Sequence, residues 1–259
     1  MNDVRTLTDD YEHWLRRRLD LDTVGLAAKH AGMHDKELAF LRGTYYLWLV
    51  RVSEELPEVL ARHPVPLVGD LHVENFGTWR DTTRVRRWGV NDLDELASGA
   101  WLLDLLRLAT SALVAPHIRV DKEEVCEELL ATYVSATAGV AVDLAERDAE
   151  PLAALVPAFA DARGFYRRLA EGAATSVPRA VAHAAAAVAE PGWTPTWHEH
   201  MAGTGSLGHR RAVGVGPAAD GTIHAREAKQ LGPGTAEWAA RHVRHGMPVA
   251  ADVYDDVER

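Results

Sequence analysis

The chain has 259 residues, 47% of them hydrophobic and 25% charged, enough to bury one large core or two modest ones. Its 28 Lys and Arg against 38 Asp and Glu leave a formal net charge of -10. An excess of acid argues against a nucleic-acid backbone or an anionic membrane as the main partner, because both are bound by excess cation. The single cysteine, Cys126, excludes an intrachain disulfide and a cysteine-ligated zinc, and reads as a small buried residue on a helix. Residues 1–10 are polar and acidic, without the apolar core of a signal peptide. The most apolar stretch, 101–115, carries Asp104 and Arg107 and is too short to span a bilayer. A cytoplasmic location is the expectation.

Along the chain, apolar residues recur at helical spacing over 11–30 and 35–60. Pro64 and Pro66 break that pattern. Residues 65–68 then form an extended apolar run that ends in Gly69-Asp70 and delivers the chain into a polar loop. Residues 84–90 read as a second short strand, delivering Asn91-Asp92. From Gly99 the chain turns helical, with Trp101, Leu102, Leu105, Leu106 and Leu108 on a broad apolar face. Asp121 and Glu124 start a helix expected to run to about Ala145. Another covers 151–172, and an Ala-rich one follows Pro178. All of these helices read as packing elements. After Glu190-Pro191-Gly192 the composition shifts to Gly, Thr and Val, with strands at 212–215 and 222–228 joined through 216–221. A last helix begins near Thr235. The expected architecture is α+β and mostly helical, with a helical lobe over 1–190 and a small β-rich lobe over 191–259.

Chemistry concentrates in Gly69-Asp70-Leu71-His72-Val73-Glu74-Asn75 and in Asn91-Asp92-Leu93-Asp94-Glu95. Gly-Asp and Asn-Asp turns are ordinary loop residues when they stand alone. Together, each after an apolar strand, they gather carboxylates whose mutual repulsion a cation would relieve. Asp70 and Asn75 stand five apart, the interval at which a kinase catalytic loop places an Asp for the substrate hydroxyl and an Asn for metal. Hard Mg²⁺ takes carboxylate and amide oxygens, which Asn75 and Asp92 can supply. A small hairpin through Trp79 and Trp88 would set the two loops side by side. His72 either shapes the loop, contacts a phosphate or bonds the backbone. It has no second histidine at metal-ligand spacing, so zinc is not expected.

Gly203-Thr204-Gly205-Ser206-Leu207-Gly208 matches G-x-G-x-x-G, yet strand-like residues follow it, and His209 stands where a P-loop requires Lys. A glycine hairpin tip over nucleotide phosphates, formed by Gly203, Gly205, Ser206 and Gly208, fits better than a dinucleotide site. A flexible turn is the plain alternative. Lys229 closes a following strand, where kinases place a phosphate-pairing lysine, and Glu237 on the next helix is its candidate partner. His209-Arg210-Arg211 forms a local basic pocket suited to a small anion.

Residues 69–75 resemble the G-D-x-H-x-x-N loop of aminoglycoside and choline kinases. Together with Phe40-Leu41-Arg42-Gly43, residues 91–95 and Trp101-x-x-Asp104-x-x-Arg107-Leu108-Ala109-x-Ser111, they resemble the bacterial family called domain of unknown function 2252, from about Phe40 to the end of the chain. That family is grouped with the protein-kinase-like fold. The resemblance implies Asp70 as the catalytic residue, Asn75 and Asp92 as metal ligands with Asp94 an auxiliary acid, and Lys229 as the phosphate-pairing lysine. The catalytic loop precedes the glycine hairpin here, which implies a permuted motif order. Family members extend beyond the point matching Arg259, which implies that later strands of the nucleotide lobe are not in this chain. The expected activity is Mg²⁺-dependent transfer of a γ-phosphoryl group from ATP, or another nucleoside triphosphate, to a small hydroxylated acceptor. The alternatives are a metal-dependent phosphohydrolase and a non-catalytic, pseudokinase-like module that binds nucleotide or another protein.

Overall fold

A computed structural model describes residues 3–81, 83, 85–136, 142–143, 161–201, 203, 205 and 207–243. Leu7, Tyr11 and Trp14 recur at helical intervals and are buried, so the first helix, α1 (Val4–Arg16), begins well before residue 11. The helix expected over 11–30 is two helices. Asp22 accepts the Val24 N–H at 3.0 Å, starting α2 (Thr23–Asp35) afresh after a break. The segment 35–60 likewise divides into α3 (Glu37–Gly43), α4 (Tyr45–Glu55) and α5 (Pro57–Leu60). Its last break falls at Leu56, whose helical conformation Pro57 disfavours.

Strand β1 (Pro64–Leu67) follows as expected, and its two prolines sit in a sheet of only two strands, where few ladder bonds are lost. A 3₁₀ turn (Val73–Asn75) leads into β2 (Phe76–Arg80) and β3 (Arg86–Val90), paired antiparallel with Phe76 opposite Val90. This is the expected hairpin. Strand β4 (Ala97–Ala100) takes in Gly99 and Ala100, where the sequence reads as turning helical. Ala97-Ser98-Gly99-Ala100 has no strand-favouring side chain, and its conformation comes from pairing with β1, Leu67 opposite Ala97. Then come α6 (Leu102–Val114) and α7 (Lys122–Ser135), whose cap Asp121 accepts the N–H groups of Glu123 and Glu124 at 2.8 and 3.3 Å. Helix α7 ends at Ser135, not near Ala145, and β5 (Val142–Asp143) pairs with β3 beyond it. None of the residues of α7 is buried, so Cys126 is exposed rather than packed.

Helix α8 (Ala162–Leu169) falls within the helix expected over 151–172 but ends at Leu169, and residues 151–160 lie outside the described residues. Helix α9 (Arg179–Ala187) starts after Pro178 as expected. Strands β6 (Thr196–Glu199), β7 (Arg211–Pro217) and β8 (Ile223–Lys229) form an antiparallel sheet in that order. The last described helix is α10 (Thr235–Ala239).

The protein is thus α+β, with helix the larger part and small antiparallel sheets. Its chain gathers into two compact units, one of residues 1–14, 32–157 and 233–259, the other of 15–31 and 158–232. The first centres on aromatic rings: Tyr46 stacks on Tyr11 at 4.1 Å, and Trp238 meets both rings edge-on. Among the described residues no helix is long and apolar enough to cross a membrane.

Candidate active site

The loop after β1 opens at Gly69, whose φ is +89° and whose hypothetical Cβ would lie 2.2 Å from the Glu95 carbonyl oxygen. Only glycine fits there. One turn into α6, Asp104 accepts the N–H groups of Val68 at 2.8 Å and Gly69 at 3.0 Å. Burial raises its pKa to about 6, against the lowering effect of those two bonds and of Arg107. A turn further on, the fully buried Arg107 donates to Asp70 Oδ1 through Nε at 2.8 Å and through Nη2, and Nη2 also reaches the Leu41 carbonyl at 2.8 Å. Its guanidinium carbon stands 4.7 Å from the Tyr45 ring centre and 5.2 Å from that of Trp48. Those ring faces are what surrounds a cation whose Nη1 has no hydrogen-bond partner among the described residues. Ser111, a third turn along, accepts the Val73 N–H at 3.0 Å.

Helix α6 is therefore more than packing, which corrects the sequence expectation. Its fully buried stripe is Leu103, Arg107 and Ser111, and its polar members hold the Asp70 loop. The signal was present: two charges three residues apart inside an apolar run must find partners on folding.

Inside the loop, the buried Asn75 accepts the His72 N–H through Oδ1 at 2.6 Å. The His72 ring faces the Glu74 N–H at Nδ1, 3.2 Å away, and Arg42 Nε at Nε2, 3.1 Å away. Burial, then the charges of Arg42 and Arg107, push His72 down to about 3, so its ring is neutral. It shapes the loop. Asp70 has a raised pKa because burial outweighs Arg107 and Arg42, with the Asp92 charge adding to the rise. The Asn91 N–H bonds the Asn75 carbonyl at 3.0 Å, so the β2–β3 hairpin does set the two acidic loops side by side.

The five loop acids separate on folding. Glu74 pairs with Arg42, and Glu95 accepts the Thr235 N–H at 2.7 Å and its hydroxyl at 2.6 Å at the start of α10. The Asp92 charge is felt at Asp70, the neighbouring Asn91 bonds the Asn75 carbonyl, and Asp94, half-buried, follows on the Asp92 loop. No cluster of three His, Cys, Asp or Glu residues suited to a metal ion occurs among the described residues. Mg²⁺ commonly takes one or two carboxylates and completes its shell with water and substrate phosphates. Among the described residues no all-protein cage is formed, and the carboxylate and amide oxygens of the two loops are of the chemical kind that Mg²⁺ takes.

In the second unit, residues 200–210 join β6 to β7, with Gly203 at φ +73° and Gly208 at +99°. A strand follows the loop, so the helix that a dinucleotide site requires is missing. Thr204 and Ser206 lie outside the described residues. Lys29 of α2, which the sequence reading passed over, donates to the Gly205 carbonyl at 3.2 Å, and the Asp22 N–H bonds the Gly208 carbonyl at 2.8 Å. Lys229 is the last residue of β8, opposite Arg211. The expected basic pocket is neutralised: Arg210 pairs with Asp20 and Arg211 with Glu227, each at 2.6 Å, and burial lowers the pKa of His209. Glu237 pairs with Arg241 at 2.9 Å.

Fold and site together define a helix-rich α+β protein built around an arginine-anchored acidic loop. The chain belongs to the family described as uncharacterized protein conserved in bacteria (DUF2252), whose model matches residues 22–190. The match opens before Phe40 and stops at Glu190, short of the expected extent. It takes in Arg42, both acidic loops and α6, and leaves the glycine segment and Lys229 outside. No curated protein and no solved structure matches the chain.

Proposed function

We propose that the protein is a phosphotransferase with a protein-kinase-like fold, moving the γ-phosphoryl group of ATP or another nucleoside triphosphate to a small hydroxylated acceptor. The observation that carries this reading is the state of Asp70. Both Arg107 bonds fall on Oδ1, no described hydrogen bond reaches Oδ2, and the side chain keeps 20% of its surface. That leaves one oriented oxygen to accept the proton of an incoming hydroxyl, with its basicity raised by burial. Asp92, with Asn75 and Asp94, is the assigned holder of Mg²⁺, which when bound would neutralise charge on the phosphates. Gly203, Gly205, Ser206, Gly208 and Lys229 are assigned the nucleotide phosphates on their motif.

The test is phosphoryl transfer from Mg²⁺-ATP to a panel of small alcohols, amino alcohols and sugars. Asp70→Asn should lower turnover by about 10²-fold or more. The rise in melting temperature caused by Mg²⁺-ATP should persist in that variant. Turnover equal to that of the wild type would reject the assignment. A second reading, a non-catalytic nucleotide-binding or interaction module, draws support from Asn75, whose oxygen already serves the His72 N–H. It predicts the thermal shift without transfer to any acceptor. A phosphohydrolase would instead release phosphate from a phosphorylated substrate with no nucleotide present.

A further inference from the structure

Arg42, on α3, is held by partners that do not satisfy it. Its Nε–H points at His72 Nε2 while the Glu74 N–H points at His72 Nδ1. A neutral imidazole offers one lone pair and one N–H, and an imidazolium offers two N–H groups. In either state at least one of these contacts sets a donor against a donor. With only 3% of His72 exposed, water cannot relieve the conflict. The other partner, Glu74, has half of its side chain in solvent, and an ion pair so placed exchanges readily with competing ligands. No described hydrogen bond reaches Arg42 Nη2, and the Arg42 charge is felt at Asp70.

We propose that Arg42 is the oxyanion-binding residue of the Asp70 loop, leaving His72 and Glu74 to take a phosphoryl group. An anion accepting from Nε and Nη2 replaces a donor–donor contact with two charge-assisted bonds in the fork geometry that arginine offers. Once Arg42 is drawn away, His72 Nδ1 can accept the Glu74 N–H without conflict, so binding also settles the ring into one tautomer. The phosphoryl identity of the anion rests on the phosphotransferase reading. The binding itself does not.

The experiment titrates the whole protein with pyrophosphate, and in a parallel arm with acetate, without nucleotide or metal. It follows the melting temperature and the ring-nitrogen NMR signals of His72. Pyrophosphate should bind and shift those signals, and acetate should bind more weakly. Arg42→Ala should weaken pyrophosphate binding by about tenfold or more. Glu74→Gln, which removes the competing carboxylate, should tighten it. Should Arg42→Ala fail to fold, Arg42→Lys and Glu74→Gln decide, since lysine keeps the charge but loses the fork. Wild-type affinity in the Arg42 variants, or no gain in Glu74→Gln, overturns the proposal, and acetate binding as tightly as pyrophosphate overturns its phosphoryl assignment. Absence of transfer to any acceptor alongside intact pyrophosphate binding would sink the phosphotransferase reading and leave Arg42 standing.

Discussion

Two glycine-led loops in this chain are held in opposite ways. The 69–75 loop is fixed by side chains arriving from another element, Asp104, Arg107 and Ser111 from successive turns of α6, with Arg42 of α3 added through its exchangeable ion pair to Glu74. The 203–208 loop is fixed through its own carbonyls, Gly205 by Lys29 and Gly208 by the Asp22 backbone. A loop that carries a buried carboxylate needs a scaffold of counter-charges and donors, because an unpaired buried charge is strongly destabilising. A glycine loop without a carboxylate needs only tethered ends and the right sign of φ. The family match covers the first loop and not the second.

The largest expected effect breaks the scaffold at its centre. Arg107→Met should cost about 3–5 kcal/mol in urea unfolding, because it strands the Asp70 carboxylate and the Leu41 carbonyl together. Adding Asp70→Asn to that variant should recover part of the loss, since the stranded group is then neutral. A loss under about 1 kcal/mol in Arg107→Met would mean the pair is ornamental. Next in size is Gly69→Ala. A Cβ 2.2 Å from the Glu95 carbonyl oxygen, at φ +89°, combines backbone strain with overlap and should cost about 3–4 kcal/mol.

Much of this scaffold was legible in the sequence, and the rest was hidden for identifiable reasons. The β2–β3 hairpin could be read because short apolar runs flank a polar turn, and it fixed which two loops would meet. Strand β4 could not, because Ala97-Ser98-Gly99-Ala100 takes its conformation from a partner strand and not from its own side chains. Glu74, Glu95 and Asp92 look alike in the sequence. Only folding shows that Glu95 serves Thr235, 140 positions away, while the charge of Asp92 acts on Asp70. Asp104 and Arg107 stand in a motif, but the leucines around them give the helix the pattern of plain core. Cys126 departs from its expected burial for the converse reason, since α7 mixes apolar residues with charge and buries none of them.

Asp104 offers a smaller and pH-dependent test. Its pKa of about 6 lies above that of an unfolded aspartate, so the folded protein holds this proton more tightly than the unfolded chain. The corresponding stability is complete below the unfolded value near ~3.9 and is lost as the pH rises through about 6. Asp70, also raised, acts in the same direction. Asp104→Asn retains one acceptor for two N–H groups and should cost about 2 kcal/mol at pH 7. Its stability, measured by urea unfolding from pH 4 to 7, should decline less with rising pH than that of the wild type. A variant curve parallel to the wild-type curve would remove Asp104 from the list of titrating groups.

The smallest effect tests the other side of the contrast. Gly208 has φ +99°, as demanding of glycine as Gly69, but the nearest atom a Cβ there would meet among the described residues is Leu26 Cδ1 at 3.4 Å, an ordinary contact. Gly208→Ala should therefore cost the backbone strain alone, about 1–2 kcal/mol, read as a shift of the urea midpoint. Because both substitutions add the same methyl group at positive φ, the difference between them isolates the packing around each loop. Equal losses at Gly69 and Gly208 would show the second loop to be as tightly enclosed as the first, and the distinction between a loop wired by side chains and one tethered by its backbone would fail.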